Sequence, residues 1–420
     1  MNAPARVDPR QDAYRTPIEQ IDVSNPHLYQ DDTWRPYFER LRLEDPVHWC
    51  ENGMYGAFWS VTRYRDIMAV DTDHRAFSSD ALMGGIVLRD LPMDFRRPSF
   101  ISMDPPKHDE QRKIVAPIVA PMNLANLSGT IRERVGRILD GLPRGETFDW
   151  VERVSVELTT QMLATLFDFP FVERDKLTYW SNVATVNTRA GSEVDSEAKR
   201  NAILDKAVAY FTELWHERAS QPPRPDLISM LAHGEATRDL PSRPHEFMGN
   251  LLLLIVGGND TTRNSISGGL LALNQYPDEY RKLRENPALV TGMVPEIIRW
   301  QTPVIHMRRT ALEDTKVGGR TIRKGDKVAM WYLSGNRDED AIERADDFII
   351  DRARPRQHLS FGFGIHRCVG NRLAEMQLTI LWEEILKRKL PMIEVVGEPT
   401  RGYSNVLRSI SFLPVRIPVA

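Results

Sequence analysis

Cysteine is scarce in this chain of 420 residues, which carries only Cys50 and Cys368. Two cysteines cannot build a disulfide framework, and they are too few for a cysteine-rich zinc or iron–sulfur site. Long apolar runs are also missing, because the longest covers residues 251–256, whereas a bilayer crossing needs roughly 20 residues. Residues 1–20 lack the apolar core of a signal peptide. We therefore expect a cytoplasmic protein without a membrane span.

The chain has no excess of positive charge, since 55 Lys and Arg are balanced by 58 Asp and Glu, a formal net charge of −3. This balance gives no indication of a nucleic-acid partner. A Walker loop and a dinucleotide-binding fingerprint are absent from the sequence. So are low-complexity tracts, fixed repeats and a dividing linker. We expect residues 1–30 to form a loosely ordered lead-in and residues 31–420 a single domain.

Helical periodicity dominates residues 105–300, where apolar side chains recur every three or four residues, as in "IRERVGRILDGL" and "RNAILDKAVAYFTELWHERA". Residues 316–334 instead contain short β-rich runs, with turn signals at Gly318-Gly319 and Gly325-Asp326. The C-terminal "RSISFLPVRIPVA" alternates like a strand. The predicted fold class is mainly α with a small β-rich part.

One helix is predicted to be much longer than the others. Ser242 is the expected N-cap, and the helix should continue to about Asn274, before Pro277. Its ~33 residues would extend over ~50 Å at 1.5 Å per residue. A helix of this length crosses a whole domain.

The middle of that helix has an unusual composition. Gly257 and Gly258 cost roughly 1 kcal/mol each relative to alanine, and such breaks of local rules are most often found at functional sites. Glycine would let a flat ligand lie against the backbone, next to an acid and an alcohol, Asp260 and Thr261. The alternative is a kinked core helix in which Asp260 is salt-bridged.

Cys368 lies in a glycine-rich loop, "SFGFGIHRCVGNRLAEM", that runs into a helical pattern. Glycine lets the backbone pass close to a planar ligand and turn its N–H groups toward the sulfur. A cysteine just before a helix has a lowered thiol pKa and stays a thiolate. These are the requirements of an axial haem ligand; the alternative is a free buried cysteine. Cys50 has no such setting and is expected to be a structural thiol.

These features resemble the cytochrome P450 family of haem-thiolate monooxygenases over nearly the whole chain. The motif Phe-x-x-Gly-x-x-x-Cys-x-Gly, the oxygen-activating motif and the later Glu-x-x-Arg are matched in family order by Phe361, Gly364, Cys368 and Gly370, by Gly257, Gly258, Asp260 and Thr261, and by Glu296 and Arg299. The resemblance implies the cytochrome P450 fold and haem b as the cofactor. It also implies that Cys368 is the axial ligand of the iron and that Asp260 and Thr261 relay protons.

Glu296 and Arg299 lie three residues apart, so they share a helix face and can pair. The resemblance implies that this pair joins an arginine near the cysteine loop, and Arg352 is the candidate. The alternative is an exposed pair that contributes less than about 1 kcal/mol. Pro295 directly precedes Glu296, so we expect the pair in a first helical turn or just after a kink.

The two haem propionates require cations. The resemblance assigns this role to His108 and Arg112, four residues apart in "PPKHDEQRK", and to His366 and Arg309. Arg308 competes with Arg309 for the assignment, because the two are adjacent and identical. For each of these side chains the alternative is a solvated surface position.

Electrons have to reach the haem from outside, because the chain shows no nucleotide motif and no fused ferredoxin cysteines. The resemblance implies a small acidic ferredoxin and its NAD(P)H-dependent flavin reductase as partners. A basic patch would receive the ferredoxin, with candidates Arg112, Lys113, Arg367 and Arg372. Ordinary surface charge is the alternative.

The stretches "LLLLIVGGNDTTRNSISGG", "MVPEIIRWQTP" and "TTQMLATLFDFPF" resemble the bacterial subfamily that hydroxylates the terminal carbon of medium-chain alkanes and fatty acids. The substrate would then be an apolar aliphatic molecule, oxidised with O2. The candidate pocket residues are Ile86, Val87, Val256, Val304 and Met307, for which plain core packing is the alternative. Two other functions stay open, a monooxygenase of a terpene or steroid and a haem-binding sensor without turnover.

Overall fold

Helices make up most of a computed structural model that describes residues 8–188 and 191–419. The α-helices of these residues are α1 (Pro9–Arg15), α2 (His27–Gln30), α3 (Arg35–Glu44), α4 (Tyr64–Thr72), α5 (Lys107–Val115), α6 (Pro121–Asp140), α7 (Glu157–Phe167), α8 (Asp175–Thr185), α9 (Glu197–Ala219), α10 (Leu227–His233), α11 (Pro244–Gln275), α12 (Pro277–Glu285), α13 (Val290–Gln301), α14 (Tyr332–Gly335) and α15 (Asn371–Lys387). A π-helical segment, Val151–Val156, leads directly into α7. The predicted dominance of helix is confirmed.

The strands are short and form a five-stranded sheet with three smaller ones. They are β1 (Val47–Cys50), β2 (Phe58–Val61), β3 (Phe77–Ser78), β4 (Thr147–Asp149), β5 (Met307–Ala311), β6 (Thr315–Val317), β7 (Arg320–Ile322), β8 (Lys327–Met330), β9 (Glu394–Val395), β10 (Thr400–Arg401), β11 (Ile410–Phe412) and β12 (Pro414–Arg416). The largest sheet has the order β1-β2-β8-β5-β3, with β2 and β8 parallel and the other neighbours antiparallel. The others are β4-β12-β9, β10-β11 and β6-β7.

Glycine makes the predicted turns of the β-rich part. Gly318 and Gly319 connect β6 to β7 with φ of +53° and +81°, and Gly325 precedes β8 with φ of +90°. Side chains with a Cβ rarely adopt these left-handed conformations. The turn signals in the sequence therefore mark the observed strand ends.

Helix α11 is the predicted long helix and has 32 residues. It packs against α7, α8, α13 and the π-helical segment, so it runs through the largest hydrophobic cluster. Ser242 is not its N-cap, because it ends a short 3-10 turn and its hydroxyl donates to the Asp239 carbonyl at 2.7 Å. The helix starts instead with Pro244, whose missing N–H would have no intrahelical partner at that position.

The expectation of a loosely ordered lead-in is wrong for residues 8–30. These residues include α1 and α2, and the side chains of Ile21, Val23 and Tyr29 are buried in a hydrophobic cluster with β2 and β8 residues. The Tyr29 hydroxyl donates to the Val23 carbonyl at 2.6 Å. A few apolar side chains suffice to fix this segment because the sheet offers them a surface. Residues 1–7 lie outside the described residues, and the single domain over 31–420 stays a prediction.

Among the described helices, none alone combines the length and apolar character needed to cross a membrane; only the bent pair Lys107–Val119 and Pro121–Asp140 does so jointly.

Candidate functional site

The cysteine loop is closed by its own backbone. The Cys368 N–H donates to the Phe361 carbonyl at 2.8 Å, so the six residues between them form a closed loop. Gly364 has φ of +65°, and a Cβ at this position would lie 2.6 Å from the Asp71 carbonyl oxygen. Glycine is therefore required where the loop crosses the end of α4. Gly370, in contrast, has an ordinary negative φ and open space beside it, and it is the N-cap of α15.

The sulfur of Cys368 faces both protein and accessible space. Its side chain is exposed, yet surrounding protein raises the pKa of the thiol by desolvation, against the N–H groups of Gly370 and Asn371 and the positive charges of Arg112 and Arg367. All four of these groups favour the thiolate. A metal ion would extend the same effect, because a coordinating thiol is deprotonated.

Cys50 shows the opposite environment. It is buried in β1, and burial raises the pKa of its thiol to about 12, with a further contribution from Asp22. The thiol is therefore protonated and inert at neutral pH. Its position in the hydrophobic cluster of β1 and β2 agrees with a structural thiol.

Beside the cysteine loop, basic side chains gather into what we call the open cluster, defined as His108, Arg112, Arg309 and His366. The rings of His108 and His366 are T-shaped, with centroids 4.5 Å apart. Neither nitrogen of His366 has a hydrogen-bond partner among the described residues, and the same holds for Nε2 of His108. Burial lowers the pKa of His366, and Arg309, His108, Arg112 and His74 lower it further.

The two arginines of the open cluster are held by different acceptors. Arg112 lies on α5 and donates to the Arg367 carbonyl, which brings α5 to the cysteine loop. Arg309 lies in β5 and donates to a carboxylate oxygen of Asp71 at 2.8 Å. Asp71 also accepts the Phe363 N–H at 2.8 Å and the Tyr332 hydroxyl at 3.1 Å. It was not predicted from the sequence, where an acidic residue near the end of a helix gives no sign of burial.

Strand alternation separates Arg308 from Arg309. Arg308 pairs with Asp90 at 2.6 Å and donates to the Met83 carbonyl at 3.3 Å, so it holds the loop between β3 and α5. Arg309 points to the other face, where its charge acts on His366. Arg309 is therefore the arginine placed with the other predicted propionate ligands.

Glu296, Arg299 and Arg352 form a second group, which we call the closed cluster. Arg299 donates to both carboxylate oxygens of Glu296 at 2.7 Å, and Arg352 Nε reaches the same two oxygens at 3.0 Å. Backbone carbonyls accept the other Arg299 donors at 2.7 to 2.8 Å. Glu296 and Arg299 are buried inside α13, so they do not form an exposed pair. Pro295 lies within this helix, and the pair follows it rather than lying in the first turn.

The glycines of α11 have different neighbours. A Cβ on Gly257 would meet no atom of the described residues within 4 Å, whereas one on Gly258 would lie 2.8 Å from Leu163 Cδ1. Gly257 thus leaves space beside the helix, and Gly258 makes room for α7. The Thr261 hydroxyl donates to the Gly257 carbonyl at 3.0 Å, so the threonine and this glycine share one face.

Asp260 points away from that face and is fully buried. Its carboxylate is 2.6 Å from Arg263 and accepts the Ser181 hydroxyl at 3.1 Å, so the alternative of a salt-bridged Asp260 holds. Burial nevertheless raises the pKa of Asp260 above its ordinary value, against Arg263 and the hydroxyls of α8. Arg263, three residues along the helix, could have been found from sequence spacing; Ser181 could not.

The five candidate pocket residues are all half-buried, and two of their segments are joined. The Arg308 N–H donates to the Ile86 carbonyl at 2.8 Å, which places the loop of Ile86 and Val87 beside β5 at Met307. Val304 forms a bridge with Leu407. Val304 and Met307 also pack against a hydrophobic cluster of the large sheet, so core packing accounts for part of their surroundings.

The described residues fit haem b. Unpartnered imidazole nitrogens of the open cluster suit the propionates, because buried polar groups require partners. The space at Gly257 and the accessible sulfur of Cys368 suit the two faces of a porphyrin. Cys368 would bind the iron, and His108, Arg112, Arg309 and His366 would hold the propionates.

Comparison with known proteins agrees with this fit. The family model described as Cytochrome P450 matches residues 145–389. A structure of cytochrome P450-153 from Novosphingobium aromaticivorans is 44% identical with a TM-score of 0.88, covering 94% of this chain and 99% of that one. CYP153D17 from Sphingomonas sp. PAMC 26605 is 46% identical with a TM-score of 0.90, covering 96% and 100%.

A curated relative extends the likeness beyond solved structures. Linalool 8-monooxygenase of Pseudomonas putida is 37% identical in an alignment of 411 positions that covers 95% of this chain and 99% of the relative. The fold and the cofactor expected from the motifs, haem b with an axial cysteine thiolate, are thereby confirmed. The chain belongs to the cytochrome P450 family and is a monooxygenase of that fold.

Proposed function

We propose that this monooxygenase inserts one oxygen atom of O2 into the terminal C–H bond of medium-chain alkanes or fatty acids. The observation that carries the proposal is the likeness, at 44% and 46% identity over nearly the whole chain, to the structures of cytochrome P450-153 and CYP153D17. The motif stretches around α11 and α13 support it. We also propose that the enzyme works in the cytoplasm.

The haem, when bound, supplies the activation of O2 and the transfer of one oxygen atom to the substrate. The other oxygen atom leaves as water, which consumes two electrons and two protons. Cys368 binds the iron and keeps its sulfur as a thiolate, favoured by the N–H groups of Gly370 and Asn371 and by the charge of Arg112. The open cluster orients the cofactor by neutralising its two carboxylates.

Asp260 and Thr261 supply the protons in this proposal. Burial raises the pKa of Asp260, so this carboxyl holds a proton at higher pH than an exposed aspartate. Arg263 connects it to the exposed Asn182 of α8 at 3.1 Å, which gives a direction from solvent. Thr261 lies on the face that Gly257 leaves open, where its hydroxyl can pass the proton on.

A replacement of Thr261 tests this relay. We expect Thr261→Ala to retain haem but to divert electrons into hydrogen peroxide, because proton delivery to the distal side is impaired. The measurement is the ratio of peroxide to product per NADH consumed, with Thr262→Ala as the matched control. An unchanged ratio in Thr261→Ala would remove Thr261 from the relay.

Electrons come from a separate ferredoxin and an NAD(P)H-dependent ferredoxin reductase. The basic residues proposed to receive the ferredoxin are Arg112, Lys113, Arg367 and Arg372. Arg112 and Arg367 are joined by a hydrogen bond beside the cysteine, where electrons have to arrive. Salt screens exposed charge pairs, so ferredoxin-supported turnover should fall as ionic strength rises, and a salt-insensitive rate would exclude this patch.

A terminal methyl has the strongest C–H bonds of an alkane, so the weaker C–H bonds of the neighbouring carbons would react first if they could reach the haem. The pocket therefore has to admit the end of the chain and keep the carbons behind it away from the haem. We assign this to the apolar side chains of Ile86, Val87, Val256, Val304 and Met307. The Ile86 carbonyl accepts the N–H of Arg308, the residue after Met307 in β5, and Val256 lies one residue before the open Gly257.

The direct test is product identification. The holoenzyme, ferredoxin, reductase and NADH are incubated with linear alkanes of graded length, and we expect primary alcohols. Secondary alcohols from every alkane would overturn terminal hydroxylation while leaving a monooxygenase.

A second candidate function is oxidation of an acyclic terpene alcohol, favoured by the relative named linalool 8-monooxygenase. Linalool and linear alkanes offered in equal amounts distinguish the two proposals. A terpene product at much higher kcat/KM than any primary alkanol would favour the second candidate. Oxygen consumption that does not change on adding either substrate would favour the haem sensor.

A further inference from the structure

Three arginines meet one carboxylate where the loop between β3 and α5 approaches the start of α9. Glu197 accepts Arg200 at 2.5 Å and lies 3.1 Å from Arg89 and 4.0 Å from Arg97. We call these four residues the mouth cluster. Its formal charge is +2, because only one of the four side chains is acidic.

The three arginines differ in how fully their donors are used. Arg200 is buried and also donates to the carbonyls of Val183 and Val186. Arg97 donates to the side chain of Asn201. Glu197 therefore has two positive neighbours on well-anchored side chains without Arg89.

Arg89 is the arginine of the mouth cluster with the weakest hydrogen bonding to the protein. Its side chain is 36% exposed, and among the described residues its one hydrogen bond is a long one, 3.5 Å to the Thr188 hydroxyl. Its ion pair with Glu197 at 3.1 Å has no accompanying hydrogen bond. An arginine presents five N–H donors in a planar fork that matches a carboxylate. Among the described residues, most of these donors have no hydrogen-bond partner.

Two tyrosines extend this donor surface. Tyr55 and Tyr403 are half-buried, and neither hydroxyl has a hydrogen-bond acceptor among the described residues. Lys327 donates to the Tyr55 carbonyl at 2.9 Å and pairs at 2.5 Å with Asp90, the residue after Arg89, so Tyr55 lies close to Arg89. Burial, Tyr403 and Asp22 raise the pKa of Tyr55, whereas Arg89 opposes the rise. Asn187 donates to the Tyr403 carbonyl at 3.1 Å, which holds the end of α8 against the same surface.

The position of Arg89 relates this surface to the proposed pocket. Arg89 follows Ile86 and Val87 by three and two residues, so at most about 10 Å of chain separates it from them. A linear molecule whose methyl end is oxidised has its other end directed away from the haem. The mouth cluster borders the loop along which that other end would lie.

We propose that Arg89, flanked by Tyr55 and Tyr403, binds the carboxylate of an aliphatic acid whose far methyl group is hydroxylated. This inference rests on the proposed function and narrows it from alkanes or fatty acids to fatty acids. A carboxylate would form charge-assisted bonds to the guanidinium and accept the phenol hydroxyls, and Glu197 would keep Arg97 and Arg200 as partners. An alkane offers nothing to any of these donors.

The test compares three ligands of one chain length, a fatty acid, its methyl ester and the n-alkane. Each is titrated into the holoenzyme, and Kd is read from the shift of the haem Soret band. We expect the acid to bind more tightly than the ester, and Arg89→Gln to reduce this acid-over-ester preference at least tenfold. Arg89→Lys should retain part of it. Arg65→Gln, which removes an exposed arginine of α4, is the matched control and should not change the preference.

The tyrosines give an independent variant if Arg89→Gln loses haem. Tyr403→Phe should reduce the acid-over-ester preference by a smaller factor, because a neutral hydroxyl contributes less than a guanidinium. A preference that Arg89→Gln and Tyr403→Phe leave unchanged would overturn the inference. So would equal binding of acid and ester by the unmodified enzyme.

These experiments distinguish failure of the carboxylate site at Arg89 from failure of terminal hydroxylation. Primary alcohol from the alkane, together with an unaltered acid preference in Arg89→Gln, would leave terminal hydroxylation standing and remove the carboxylate site. Selective loss of the acid preference, together with secondary alcohols only, would retain the site and overturn terminal hydroxylation.

Discussion

The closed cluster and the open cluster both bring arginine into the protein interior near the cysteine loop, but they differ in how their polar atoms are used. In the closed cluster, both oxygens of Glu296 accept from Arg299 and Arg352, and backbone carbonyls accept the remaining Arg299 donors. In the open cluster, the described residues offer no hydrogen-bond partner to either nitrogen of His366 or to Nε2 of His108.

This difference separates a structural role from a binding role. A buried charge is tolerated when its partners lie within the protein, as in the closed cluster. A buried polar group without such partners, as in the His366 ring, indicates that an external group completes it, and beside two arginines that group is expected to be an anion. The haem propionates supply that anion, so the closed cluster should govern folding and the open cluster should govern retention of haem.

The largest expected effect concerns the closed cluster. Arg299→Ala leaves Glu296 buried with only Arg352 as a cationic partner, and we expect the free energy of unfolding to fall by about 3–5 kcal/mol. The measurement is urea unfolding of the holoprotein, followed by tryptophan fluorescence. Arg356→Ala is the control, because its pair with Glu375 is largely exposed at 68% for the arginine and should contribute less than about 1 kcal/mol. Equal losses in the two variants would contradict the distinction.

The next effect concerns the open cluster. His366→Phe removes two nitrogens that have no partner within the described part of the chain, so we expect little loss of folding stability and a roughly tenfold faster release of haem. Transfer of haem to an acceptor globin measures the rate. His306→Phe is the control, because His306 is buried and bonded to the Asn405 carbonyl at 2.8 Å, and its loss should affect stability more than haem release. A variant that unfolds without faster haem release would place His366 with the closed cluster.

A smaller effect is pH-dependent and belongs to His358, whose charge interacts with Arg299. Burial, Arg299, Arg356 and Arg367 lower its pKa to about 3 in the folded protein, against about 6.5 when unfolded. The unfolded chain then binds more protons between these values, so the stability contribution is complete above about pH 6.5 and is lost as pH falls toward 3. When the pH falls from 7 to 5.5, the free energy of unfolding of the unmodified protein should decrease by about 1 kcal/mol more than that of His358→Gln. If the free energy of unfolding of the two proteins depends on pH in the same way, the folded protein does not keep His358 in its neutral form.

Sequence reasoning was strongest where a motif fixes backbone geometry. The left-handed Gly364, the turn glycines before β8 and the i,i+3 pair of Glu296 and Arg299 follow from local rules that need no knowledge of distant contacts. The long helix was also predicted to within two residues at its start and one at its end. Its N-cap was not, because Ser242 bonds to Asp239 in a 3-10 turn that competes with capping.

Sequence reasoning failed where contacts between distant segments decide the outcome. The lead-in is ordered because Ile21 and Tyr29 find a surface on the large sheet. Asp71, more than 200 residues from Arg309, became visible as its partner only in the folded protein. The direction of Asp260, toward Ser181 and Arg263 rather than toward Thr261, likewise depends on how α8 packs on α11.

Ligation of the haem iron by Cys368 is tested by the carbon monoxide spectrum of the reduced holoprotein, recorded before and after Cys368→Ala. We expect a strongly red-shifted Soret band, which reports an axial thiolate, and its complete loss in the variant. A band that survives Cys368→Ala, or one at the position of histidine-ligated haem in the unmodified protein, would exclude Cys368 as the ligand.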